Sequence, residues 1–168
     1  MNTSKTIALT TSAVIAIAIM LFIIQLLVRK LKLKSEQDGK LKTSYGVWFA
    51  CLSIEALIVT GETINLLSTA FDNIYKNISN NLLGQLVKTG SLFIGLCALW
   101  FLLWYFIGNL LSVTIVGKRK NENEIEANNV SYFLIKGILI IGFIFCLSPV
   151  FEIILRNFIP SIQIPFYH

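Results

Sequence analysis

The chain reads as an all-α, polytopic membrane protein with four transmembrane helices. Three observations predict this. Four apolar stretches are each long enough to cross a bilayer, and the connections between them are too short to fold independently. The composition is 55% hydrophobic and 14% charged, whereas soluble domains typically hold about 45 to 50% apolar residues even with glycine counted. Helices rather than barrel strands are expected, because backbone groups in lipid must be satisfied within the segment and the alternation of a barrel strand is absent.

The first stretch, 6–28, carries no charge, and at about 1.5 Å per residue it reaches some 35 Å, enough for a hydrocarbon core of about 30 Å. Only Lys5 precedes it, while Arg29, Lys30, Lys32 and Lys34 follow. A cleavable signal peptide has the opposite order of charge, so this helix is expected to stay in the mature protein. Ala8, Ser12 and Ala16 recur every fourth position and offer a face for close helix packing.

Loop 29–44 is basic. The second stretch, 45–70, contains two carboxylates one heptad apart, Glu55 and Glu62. Seven residues advance a helix by about 700 degrees, so both fall near one face. Cys51 stands a turn before Glu55, and Asn65 stands a turn beyond Glu62 with some angular offset. A charge at the helix centre costs roughly 2.5 to 3.5 kcal/mol on insertion scales, so each carboxylate must be protonated, paired or turned toward a protein-lined interior.

An outer loop, 71–81, leads to the third stretch, 82–117. Lys88 enters it from the outer side, Trp100, Trp104 and Tyr105 lie deep within it as packing or lipid-facing rings, and Ser91 with Gly95 and Gly108 with Ser112 form small-residue pairs. Loop 118–131 places Lys118, Arg119 and Lys120 before Glu122, Glu124 and Glu126. Such charged, aromatic-free segments ordinarily stay solvated as connectors. Together with Lys32, Lys34 and Lys40 of the first loop, these residues form a mixed-charge face for a cytosolic protein partner.

The fourth stretch, 132–158, holds Pro149, which removes a backbone hydrogen bond and favours a kink, and Glu152 with Arg156 four residues on. The depths of Glu62, Lys88, Glu152 and Arg156 are compatible with one outer-leaflet cluster. With Glu55 and Asn65 they are the candidate ion pathway or intramembrane polar cluster. The tail, 159–168, is too short to cross again and is expected along the outer interface.

Positive charge near helix ends is retained in the cytoplasm, which places loops 29–44 and 118–131 inside and both termini outside. The net charge of +5 is explained by this topogenic role, and no nucleic-acid role is expected. Residues 1–168 thus form a single transmembrane domain. Ser44-Tyr45 and Ser131-Tyr132 each close a basic loop and open a helix that carries a cysteine and a later glutamate. That pattern suggests two repeated helical hairpins related by an axis along the membrane normal.

Cys51, Cys97 and Cys146 sit in different stretches and read as small buried hydrophobes. The single histidine is His168, so no Ser/His/Asp arrangement or histidine-ligated metal site is expected, and neither is a cofactor. The chain is not expected to be an enzyme. Asn77-Ile78-Ser79 and Asn129-Val130-Ser131 match the weak glycosylation pattern. Richness in Asn, Lys and Ile suggests an AT-rich coding sequence and a bacterial inner membrane. By elimination, the expected function is a homo-oligomeric channel-like or sensor subunit that engages a cytosolic partner. The alternatives are a small proton- or cation-coupled transporter or a structural subunit of a membrane complex, such as a bacterial defence or secretion machinery.

Overall fold

The computed structural model describes residues 3–37, 40–77 and 81–161. Its elements are α1 (Thr3–Ser35), the two-residue strands β1 (Glu36–Gln37) and β2 (Lys40–Leu41), α2 (Thr43–Lys76), α3 (Leu82–Val116), α4 (Asn121–Glu126) and α5 (Val130–Arg156). β1 and β2 form a small antiparallel hairpin that joins α1 to α2. Four helices, α1, α2, α3 and α5, are long and apolar enough to span a membrane.

The long helices overrun the apolar stretches at their charged ends. α1 continues through the basic residues to Ser35, and α2 continues to Lys76. Most of the expected outer loop is therefore helix, with Phe71 and Ile74 buried in the core. An α-helix closes its own hydrogen bonds and does not have to stop where the apolar residues do.

α2 is the hub, packed against α1, α3 and α5. The most apolar part of α1 has a mean hydropathy of 2.7 and is 17% buried, while that of α2 has 1.5 and is 44% buried. The less apolar helix lies inside and the more apolar one outside, the reverse of what water would select and what lipid permits. α1 nevertheless has an inner stripe, Ala16, Met20, Ile24, Val28 and Leu31, at helical spacing.

Two glycines set the closest approaches. A methyl group on Gly137 of α5 would collide with Cys51 Sγ of α2, and one on Gly108 of α3 would collide with Ile140 of α5. Gly90 of α3 faces Ser12 of α1 and the Phe71 ring of α2, so the α1 small-residue face is used within the chain. Ser91 and Gly95 are exposed. Trp48, Phe93, Phe101, Phe133 and Phe151 fill the core. Trp100 stacks on Phe151 at 5.0 Å and Trp104 on Phe143 at 5.9 Å, which makes both tryptophans packing rings between α3 and α5.

α5 runs without interruption through Pro149. Cys51 and Cys97 are buried as expected, whereas Cys146 is exposed on the outer side of α5. A strict twofold exchange of hairpins would give α1 against α5 the contact that α2 makes with α3, and that contact is nearly missing. The terminal end is tied by Lys5 to Asp72 at 2.6 Å and by the Ser4 and Tyr75 hydroxyls at 2.9 Å. Asn73 and Asn77 donate to the carbonyls of Pro160 and Ser161, which draws the start of the tail onto the end of α2. The rest of the tail, 162–168, and the Ile78 and Ser79 positions lie outside the described residues.

The second charged loop corrects the expectation of a solvated connector. Residues 121–126 fold as α4, and Ile125, the one apolar side chain among them, is fully buried. That anchor lets an otherwise charged segment dock against α1.

Candidate functional site

Glu55 is the deepest ionisable group of α2. It is 0% exposed, and neither carboxyl oxygen has a hydrogen-bond or ion-pair partner among the described residues. Cys51 stands one turn earlier on the same helix. The hub position of α2 explains the burial, because every face of that helix near Glu55 except the Ile54 and Leu57 side meets a neighbour.

The other expected members of the polar cluster do not gather around it. Glu62 is half-buried and accepts a hydrogen bond from the Ser148 hydroxyl of α5. Asn65, three residues on and offset by about 60 degrees around the helix from Glu62, is exposed. Glu152 and Arg156 pair with each other across one turn of α5, at 2.5 Å, with both side chains substantially exposed. Lys88 is exposed and makes no ion pair among the described residues. The proposed outer-leaflet cluster thus resolves into a Glu62–Ser148 contact, a Glu152–Arg156 pair and an isolated lysine.

A second buried ion lies toward the loop end and was missed in the sequence. Lys136 of α5 is 2% exposed. Its ammonium donates to Asn121 Oδ1 of α4 at 2.8 Å and stands over the rings of Trp48, at 5.1 Å, and Tyr132, at 5.5 Å. The Tyr132 hydroxyl donates to the same Asn121 oxygen at 2.9 Å. Asn121 therefore joins α4 to α5, and the aromatic faces supply attraction of the cation–π kind, about 0.5 to 2 kcal/mol per contact. The cue in the sequence was a lone lysine four residues after Tyr132 in an apolar run.

Lys136 borders a cavity of about 560 Å³ between α1, α3, α4 and α5, with Tyr105, Asn109, Ser112 and Asn121 on its wall and Lys30 and Lys120 at its rim. Tyr105 lines the cavity and packs against Trp48, with ring centroids 6.4 Å apart. No protein-family model matches this chain, and neither does any curated protein or solved structure. The chemistry of the site has to come from its own residues.

The expected partner-facing charges are partly spent on one another. Lys34 pairs with Glu126 at 2.8 Å and Glu122 at 3.6 Å, and Arg119 pairs with Glu124 at 3.2 Å. Lys42 donates to the Glu126 carbonyl, and Asn128 accepts from the Ser44 backbone, which ties the two loops together. The hydrogen bond from Lys34, followed by its charge, holds the Glu126 carboxyl below its ordinary value. Lys32, Lys40, Lys118 and Lys120 remain exposed without an ion pair among the described residues. Among the described residues no group of His, Cys, Asp or Glu is arranged to hold a metal ion.

Proposed function

We propose that this chain is a multi-pass protein of the cell membrane, a homo-oligomeric channel-like or sensor subunit whose working group is the Glu55 carboxyl. The observation that carries this is the isolation of Glu55, fully buried with neither oxygen bonded to any of the described residues. A structural carboxylate is held by a cation or by donors, whereas one without partners is tolerable in an apolar core only with its proton on. Such a group exchanges a proton when water or a cation reaches it. Tyr105 and the cavity provide the approach from the loop end, and Glu62 with Ser148 provides a polar position a heptad further along α2.

The basic loops face the cytoplasm in this proposal, in keeping with their Lys and Arg content. Lys32, Lys40, Lys118 and Lys120 are then the charges a cytosolic partner meets. We assign the chain no catalysis. The test is proton flux into liposomes that contain the purified protein. Wild type is expected to conduct, and Glu55→Gln, nearly isosteric and without the proton, is expected to assemble normally and lose at least tenfold of the flux. Saturation with a second solute and coupling to it would favour the transporter. Flux unchanged in Glu55→Gln would remove this function.

A further inference from the structure

The cavity at the loop end is unbalanced in charge. Four cations border it, Lys30, Arg119, Lys120 and Lys136, against one carboxylate, Glu122. Arg119 is already paired with Glu124 and Glu122 with Lys34. Lys30, Lys120 and Lys136 are left without a carboxylate among the described residues. An ammonium has three donors, and among the described residues Lys136 has one hydrogen bond, to a neutral amide oxygen.

Lys136 is not a snorkelling side chain that merely escapes the apolar phase, since it is 2% exposed and held in place by Asn121, Trp48 and Tyr132. Burying a cation is costly unless an anion or a set of oxygens meets it. Here the burial is next to a cavity of about 560 Å³ lined by both polar and apolar side chains, a volume within the range of ligand pockets. Its rim adds two more cations at the level where the apolar part of the helices gives way to basic residues.

We propose that this cavity binds a phosphate-bearing anion, with Lys136 at its inner wall and Lys30 and Lys120 at its mouth. The arrangement suits a compact group with more than one charged oxygen, which can meet several ammonium groups at once. The shared chemistry is that of a phosphate ester. It can arrive as a free phosphate compound or as the headgroup of an anionic lipid.

The experiment follows thermal unfolding of the purified full chain in maltoside micelles during titration with inorganic phosphate and, separately, with phosphatidylglycerol. Sodium chloride at matched ionic strength serves as the control. A saturable rise in melting temperature beyond the chloride effect is expected from at least one probe, since a ligand that binds only the folded state stabilises it. Saturation by inorganic phosphate identifies the soluble source, and saturation by phosphatidylglycerol alone identifies the lipid.

Lys136→Gln is expected to weaken the apparent affinity at least tenfold, whereas Lys76→Gln at the opposite end leaves it unchanged. Asn121→Asp is the second variant, which places a fixed carboxylate against Lys136 and keeps the fold, and it is expected to abolish the response. It decides the matter where Lys136→Gln does not fold. The proposal is overturned when neither probe exceeds the chloride effect, or when Asn121→Asp responds like the parent.

Discussion

Glu55 and Lys136 are both withdrawn from solvent inside one helical bundle, and they are treated in opposite ways. The lysine has an amide oxygen, two aromatic faces and an adjacent cavity. The carboxyl has no hydrogen-bond partner for either oxygen among the described residues. The difference teaches that burial alone does not define a functional group. Lys136 is held in a fixed place suited to meet a ligand, while Glu55 is left with its protonation as the only means of being accommodated.

The largest disturbance of this contrast is expected at Gly137, which neighbours Lys136 and touches Cys51, one turn from Glu55. Gly137→Val forces α2 and α5 apart beside both groups. A loss of about 3 kcal/mol is expected from such overpacking, read as a lower melting temperature and a larger detergent-exposed fraction. An unchanged melting temperature would mean that the helices do not approach closely there.

Asn121→Ala makes the lysine more like the glutamate. It removes the hydrogen bonds that the Lys136 ammonium and the Tyr132 hydroxyl donate to Asn121 Oδ1, the one each makes among the described residues. A cost of about 1 to 3 kcal/mol is expected from the unsatisfied donors. Thermal unfolding measures it, and the double variant Asn121→Ala with Lys136→Met should lose less than Asn121→Ala alone, because the stranded charge is gone. Equal losses would show that Asn121 acts elsewhere.

A smaller effect concerns α4, the element that carries Asn121. Glu126 is held below its ordinary value of 4.5 by Lys34, so its contribution is complete above 4.5 and fades as pH falls through the depressed value. Amide hydrogen exchange of residues 121–126, corrected for the intrinsic pH dependence of exchange, should therefore be independent of pH between 6 and about 5 and accelerate in more acid buffer. The pair is exposed, so the change is slight. Acceleration equal in Lys34→Gln would assign it to another group.

How much of this was legible in the sequence follows from what each residue depends on. The four apolar stretches and the exceptional position of Glu55 are local properties of the chain, and both could be read directly. Position along a helix is given by the sequence itself, but azimuth between helices is not. Lys88 is exposed and so does not join the other members of the expected outer cluster. Lys136 has a partner 15 residues away in a segment whose composition looks solvated, and only the burial of Ile125 makes α4 dock and present Asn121. The lysine itself stands in an apolar run, but nothing local to it names its partner.

The helix ends were misjudged for a related reason. Apolar content marks where lipid can be, whereas helix length also depends on backbone hydrogen bonds and on tertiary contacts such as Lys5 to Asp72. The order of burial, with α2 innermost, was foreshadowed only by its lower hydropathy.

The central claim is that Glu55 is a neutral, exchangeable acid inside a membrane protein. Infrared spectroscopy of the protein in liposomes at neutral pH tests it directly, by comparing wild type with Glu55→Gln. The account predicts a carbonyl band of a protonated carboxylic acid that is present in wild type, shifts in heavy water and vanishes in the variant. A wild-type spectrum without that band, or one in which Glu55→Gln removes only carboxylate absorption, would contradict it.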